Sequence, residues 1–176
     1  MILLTTDDFD KFQSIAQSPF SLPLLQEYID RYEESYIKRI LGVTLGQLFI
    51  TDIQTEDSAS AAIDDRYLEI LLPFIKQHDH ERIMESKGMK DVLASLIFYH
   101  YISDNQAKHS QAGVVTNQAE VSNILSVEDA TRFAEMKWNN ALSSIHAIQW
   151  WCDCENAKDY PDFMGMRFHP KYSPLL

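Results

Sequence analysis

Residues 21–42 read SLPLLQEYIDRYEESYIKRILG, and every part of this stretch is consistent with one amphipathic helix. Ser21 can accept a hydrogen bond from an otherwise unpaired N–H of the first turn. Pro23 falls in that same turn, where its missing N–H costs little. Leu22, Leu25, Ile29, Tyr32, Tyr36 and Ile40 follow at steps of three and four, which puts them on one face. Glu27, Asp30, Arg31, Glu33, Glu34 and Lys38 fall mostly elsewhere. Lys38 and Arg39 close the helix with the cations its dipole favours, and Gly42 supplies a left-handed stop. Glu34 and Lys38 stand four apart in the better orientation, worth roughly 0.3 kcal/mol.

On the N-terminal side, residues 1–20 form a leader segment. Thr6 followed by Asp7, Asp8 and Phe9 predicts a short helix over 7–16, ended by Ser18-Pro19. On the C-terminal side, Thr44 and Gln47 make a capping box for a short helix through Ile53, with Leu45, Leu48 and Phe49 facing inward. The polar run 51–62 reads as a surface loop. Residues 63–86 read as a second helical region that Pro73 kinks or splits, with QHDHER as a polar connector.

Past Lys87-Gly88, the spacing predicts a strong helix over 88–108, lined by Met89, Val92, Leu93, Leu96, Ile97, His100 and Tyr101. Phe98 to Tyr101 stand in an unbroken aromatic row, so they cannot all face one core and must meet another helix or another subunit. Residues 110–123 change period, and Gly113-Val114-Val115-Thr116 predicts a β-hairpin or extended arm. A lone two-stranded hairpin is marginal in water, so it wants a partner. Ser126 and Asp129 cap the longest helix, over 127–153. Its seam runs Ala130, Ala134, Trp138, Ala141, Ile145, Ile148, Cys152. Residues 155–176 carry Pro161, Pro170 and Pro174 without a period, but with Tyr160, Phe163, Phe168 and Tyr172. So many aromatics predict a tail lying along a surface, its own or a partner's.

The expected fold is therefore mainly α: a helical bundle over 21–154 with one short β-hairpin or extended arm, and an irregular tail from 155. At 176 residues, with 45% hydrophobic and 23% charged residues, one domain is the prior. No apolar run approaches the roughly 20 residues that span a bilayer. The N-terminal stretch turns acidic at once and does not read as a signal peptide, which suggests folding in a cytoplasm. A net charge of −11 argues against a sequence-independent grip on DNA, yet suits a surface along which a duplex slides.

Candidate chemistry is sparse. No Glu is followed three residues on by His, so the paired Glu-x-x-His motif of di-metal bundles is missing. His78 and His80 read as part of a polar connector, and His100 and His146 as core or interface histidines. Cys152 and Cys154, two apart, read as reduced thiols with Cys152 partly buried. The five glycines form no GxGxxG, P-loop or GxSxG, and no basic patch interleaved with aromatics is evident. No metal, cofactor or catalytic residue is expected.

The order of elements resembles the head–tail connector (adaptor) proteins of tailed bacteriophages. Tyr28-Ile29, Glu33, Tyr36-Ile37, Ile40-Leu41-Gly42, Leu45, Leu48-Phe49, Tyr99 to Ile102 and Gly113 to Thr116 carry the likeness, which spans 22–151. The resemblance implies a ring of identical subunits, commonly twelve, seated between the portal protein and the tail or further ring proteins in the virion. The ring would extend the DNA channel and help retain packaged DNA, which passes without sequence-specific binding. Neither a membrane nor catalysis is implied. Expected interface residues are Gly113, Val114, Val115 and Thr116 of the arm, Tyr99 and Tyr101, and Tyr160, Phe163, Phe168 and Tyr172 of the tail, exposed until assembly. The alternative is a helical scaffolding or regulatory module that binds a cellular protein through the same seams. The helix over 21–42 is expected to be the central scaffold, and deleting 160–176 is expected to leave a folded subunit.

Overall fold

The computed structural model describes residues 2–12, 21–59, 63–77, 82–111 and 127–172. A 3-10 helix at Thr6–Phe12 leads into helices α1 (Ser21–Leu41), α2 (Val43–Ala59) and α3 (Asp65–Leu71). Strands β1 (Phe74–Gln77) and β2 (Ile83–Ser86) follow, then α4 (Met89–Gln111), α5 (Val127–Trp150) and one π-helical turn, Trp151–Glu155. Among the described residues the fold is mainly α with one short antiparallel hairpin. Among the described residues no helix is long and apolar enough to cross a membrane.

The central element is α4 and not α1. Val92 to Phe98 are buried without a gap, which a helix achieves only when other elements surround it. It packs against α1, α3, α5 and the N-terminal 3-10 helix, whereas α1 touches α5 only slightly. The aromatic row is thereby resolved within one chain. Phe98 stacks on Phe12 at 4.7 Å and meets Phe133 edge-on. Tyr99 lies 5.1 Å from Trp138, His100 stacks on Tyr32 at 4.5 Å, and Tyr101 meets Tyr28 edge-on at 5.6 Å.

In α1, Leu25, Ile29, Tyr36 and Ile40 are buried as the spacing predicts, joined by Tyr28, Ile37 and Leu41, while Leu22 is exposed. Glu33, read from sequence as part of the polar face, is buried instead. Its carboxylate accepts the backbone N–H groups of Ile2 (2.8 Å), Leu3 (2.7 Å) and Leu4 (2.6 Å). A buried charge needs such partners, and here they tie the N-terminal strand of chain to the bundle.

The C-terminus of α1 shows how the tail is held. A helix leaves its last four carbonyls without internal partners. Gly42, at φ +94°, turns left-handed and returns its N–H to the Lys38 carbonyl at 2.9 Å. The Arg39 and Leu41 carbonyls take the N–H groups of Met166 (2.7 Å) and Met164 (3.1 Å). The Ile40 carbonyl takes the Gln149 side-chain amide at 3.0 Å. The tail therefore runs on its own subunit and completes a helix cap. Its backbone approaches so closely that a Cβ on Gly165 would stand 2.2 Å from the Ile40 oxygen.

Three sequence expectations are corrected. Helix α2 runs through Ala59 and not to Ile53, because no Gly or Pro interrupts 47–59 and polar composition alone does not end a helix. Residues 74–77 and 83–86 are strands and not helix: Pro73 pushes Leu72 into extended conformation (φ −87°, ψ 156°), and the chain stays extended. The first segment is a 3-10 helix ending at Phe12, with 13–20 outside the described residues. The arm expected at 110–123 has its first two residues in α4; residues 112–126 lie outside the described residues.

Candidate functional site

Two surfaces flank α5, one built on the tail and one on the hairpin. The tail-side cleft begins with α1, where Tyr32, Tyr36 and Arg39 follow at helical spacing. α4 contributes His100, α5 contributes Trp138, and the tail closes the cleft with Phe168. Arg167, His169 and Lys171 stand on its rim, and its volume is about 260 Å³. Trp138 donates its indole N–H to the His169 carbonyl (2.9 Å), and Asn139 exchanges two hydrogen bonds with the Lys171 backbone, each 2.9 Å.

The aromatic floor organises the cations. Arg39 lies 5.3 Å from the Tyr36 and Phe168 ring centres, and Lys171 5.1 Å from Trp138, within cation–π range. Burial pushes the Tyr36 phenol up to about 12, with Arg39 opposing and Tyr32 and Tyr99 reinforcing the shift. Burial holds His100 below its ordinary value, against the pull of Asp104 and with the help of Lys171 and Arg39. Both shifts favour the neutral forms, and the Tyr36 phenol oxygen and His100 Nε2 share one hydrogen bond whose donor is set by the imidazole tautomer. Among the described residues, Arg39, Arg167 and Lys171 form no ion pair. In a chain of net charge −11 this is a local reversal of sign.

The hairpin surface is of another kind. Phe74 pairs with Ser86, Ile75 with Glu85, Lys76 with Met84 and Gln77 with Ile83. Alternation sends Phe74 and Lys76 inward, where both lie against Trp151, at 5.9 and 4.4 Å. Trp151 in turn donates to Glu69 at 3.1 Å. The turn into α4 is anchored on α5 by the Lys87 N–H, which donates to Ser144 Oγ at 3.2 Å. Outward, Ile75 and Ile83 are 69% and 70% exposed, with exposed Glu85 paired opposite Ile75. A shallow groove of about 580 Å³ separates Ile83 and Glu85 from Asn140, Ser143 and His146 of α5.

The residues singled out from sequence divide sharply. Gly113, Val114, Val115 and Thr116 lie outside the described residues. Tyr99 and Phe163 are half-buried. The expectation that Tyr101, Tyr160 and Phe168 stand exposed in the subunit is corrected: all three are buried. Tyr101 packs on Tyr28, the Tyr160 O–H donates to the Arg66 carbonyl, and Phe168 seals the cleft, because a tail that caps α1 carries its aromatics onto the core. Among the described members of the set, Tyr172 alone is largely exposed, at 78%. The cationic rim was missed from sequence, although Arg167, His169 and Lys171 fall at every second position with Phe168 and Tyr172 beside them.

Among the described residues no three His, Cys, Asp or Glu side chains converge on a metal-sized site. The Cys152 thiol is buried and pushed up to about 12, chiefly by burial, with Asp153 and Glu69 adding to the shift, so it is not a nucleophile near neutrality. The arrangement suits contact with another macromolecule: an apolar face on one flank, an aromatic–cationic cleft on the other. No protein-family model, curated protein or solved structure matches the chain.

Proposed function

We propose that this chain is a structural subunit of the ring joining portal to tail in a tailed bacteriophage virion. The observation that carries the reading is the hairpin. It projects two large isoleucines into solvent on one face of a paired strand. Exposed apolar groups of this size on a paired strand mark a contact surface. A repeated contact between identical subunits builds a ring when its rotation closes. The net charge of −11 supports a channel wall that repels phosphate and lets a duplex pass. The alternating Tyr and Ile positions of α1 and the stop at Gly42, which carry the resemblance to connector proteins, support the same reading. The role is assembly and DNA retention, with no chemistry of its own.

The test is native mass and sedimentation of the purified chain, alone and mixed with portal protein. A ring, alone or on the portal, is expected. A chain that stays monomeric and ignores portal refutes the proposal. Preferential capture of a host protein over virion proteins would favour a scaffolding module instead.

A further inference from the structure

We infer that the aromatic–cationic cleft is the receptor for the hairpin of a second copy of this chain. The inference rests on the ring reading and names its subunit contact. The first ground is placement. Ser144 holds the hairpin side and Asn139 holds the tail side. Five residues at about 100° each put them roughly 140° apart around α5. A subunit with complementary surfaces on two flanks associates head to tail, and such heterologous contacts are the kind that propagate into rings.

The second ground is chemistry. The outward hairpin face offers two aliphatic side chains, Ile75 and Ile83, and one carboxylate, Glu85, directly opposite Ile75. The cleft offers an aromatic floor at Tyr36, Trp138 and Phe168 and three cations without carboxylate partners among the described residues. Exposed Met164, Met166 and Tyr172 extend that apolar surface along the tail. At about 260 Å³ the cleft holds the space of about nine waters at ~30 Å³ each, enough for an inserted side chain. Three of the chain's fifteen Lys and Arg residues gather here, so a neighbour that is itself acidic finds its attraction at this point. Of the cations on or beside the hairpin, Lys76 lies inward over Trp151, Lys87 is past the strand at the entry to α4, and exposed Arg82 stands at the turn end of β2, away from Glu85 in sequence.

The experiment is charge reversal with compensation, read by sedimentation velocity. Glu85→Arg puts a cation opposite the cleft, and Arg167→Glu with Lys171→Glu puts carboxylates opposite the hairpin. All three positions are exposed, and an unchanged melting curve verifies each fold. Arg167→Glu alone serves as a second variant should the double change melt early. Each variant by itself is expected to self-associate about tenfold or more weakly than the parent chain. An equal mixture of the hairpin and cleft variants regains association, because each hairpin then meets a cleft of opposite charge. Variants that associate like the parent, or a mixture that stays dissociated, overturn the inference while leaving a ring built through other contacts. A parent chain that is monomeric alone also overturns it; the ring reading then stands or falls on binding to portal.

Discussion

Truncation after Asp159 removes the tail that closes α1, and the structure sets the size of the effect. The deleted segment carries Tyr160 and Phe168, both buried. Loss of a buried aromatic side chain costs about 3–5 kcal/mol, so the two together remove roughly 6–10 kcal/mol. The freed carbonyls of Arg39 and Leu41 become open to water and add little. Domains of this kind are stable by about 5–15 kcal/mol in total. At about 2–4 °C per kcal/mol for a chain of this length, melting falls by at least about 12 °C, or the cooperative transition disappears. Differential scanning calorimetry of the two forms gives the answer directly. Phe168→Ala, at about 3–5 kcal/mol, provides an intermediate point. A truncated chain melting within a few degrees of the full one refutes the cap, and would restore the sequence-based view of the tail as a dispensable docking arm.

Three further outcomes follow from single groups. Glu33→Gln replaces the acceptor of three N–H bonds, and is expected to lower stability by about 1.5–3 kcal/mol in urea unfolding; an unshifted midpoint would mean that the Ile2–Leu4 segment is not tied there. His100 is held below its ordinary value of about 6.5, chiefly by burial, so the unfolded chain takes up this proton at higher pH than the folded one. Its stabilising contribution is complete above that pH and is lost as pH falls through the folded value. In His100→Gln the dependence of melting temperature on pH below about 6.5 should flatten, and an unchanged slope counts against a buried neutral imidazole. Of the two cysteines, exposed Cys154 should react at once with a thiol-specific disulfide reagent and buried Cys152 only on unfolding; two fast equivalents contradict the packing of the π-helical turn.

The elements that sequence revealed are those whose signals are local. Helix α1 declares itself through a three-and-four spacing and a glycine stop, and α4 and α5 through long stripes that need only one partner each to be read. What escaped was set by distance along the chain. Glu33 looks like one more surface acid until the Ile2–Leu4 backbone, some thirty residues away, converges on it. The hairpin at 74–86 was hidden because alternating burial over four residues is too short a period to outweigh its helical flanks; Pro73 was the usable clue. The cleft is hidden most deeply. Its floor comes from α1, α4, α5 and the tail, and no window of sequence contains more than two of its walls. Only Arg167, His169 and Lys171 at every second position, with Phe168 and Tyr172 beside them, pointed toward it.

Because the tail both completes the core and carries the cationic rim, folding and recognition are coupled at one place. Met164 and Met166 cap α1 through their backbones, while Arg167 and Lys171, further along the same strand of chain, are exposed and line the cleft with Tyr36 and Trp138. A tail that detaches would therefore lose its caps and its cations together. Any failure of assembly after deletion of 160–176 has two causes that the deletion alone does not separate. Point variants do separate them: Phe168→Ala weakens the seat of the tail and leaves its charges, whereas Arg167→Glu reverses a charge and leaves the seat. If recognition depends on the cations, Arg167→Glu weakens association at full thermal stability, and Phe168→Ala weakens it only as far as it lowers the melting temperature. The opposite ranking would place the contact elsewhere on the subunit.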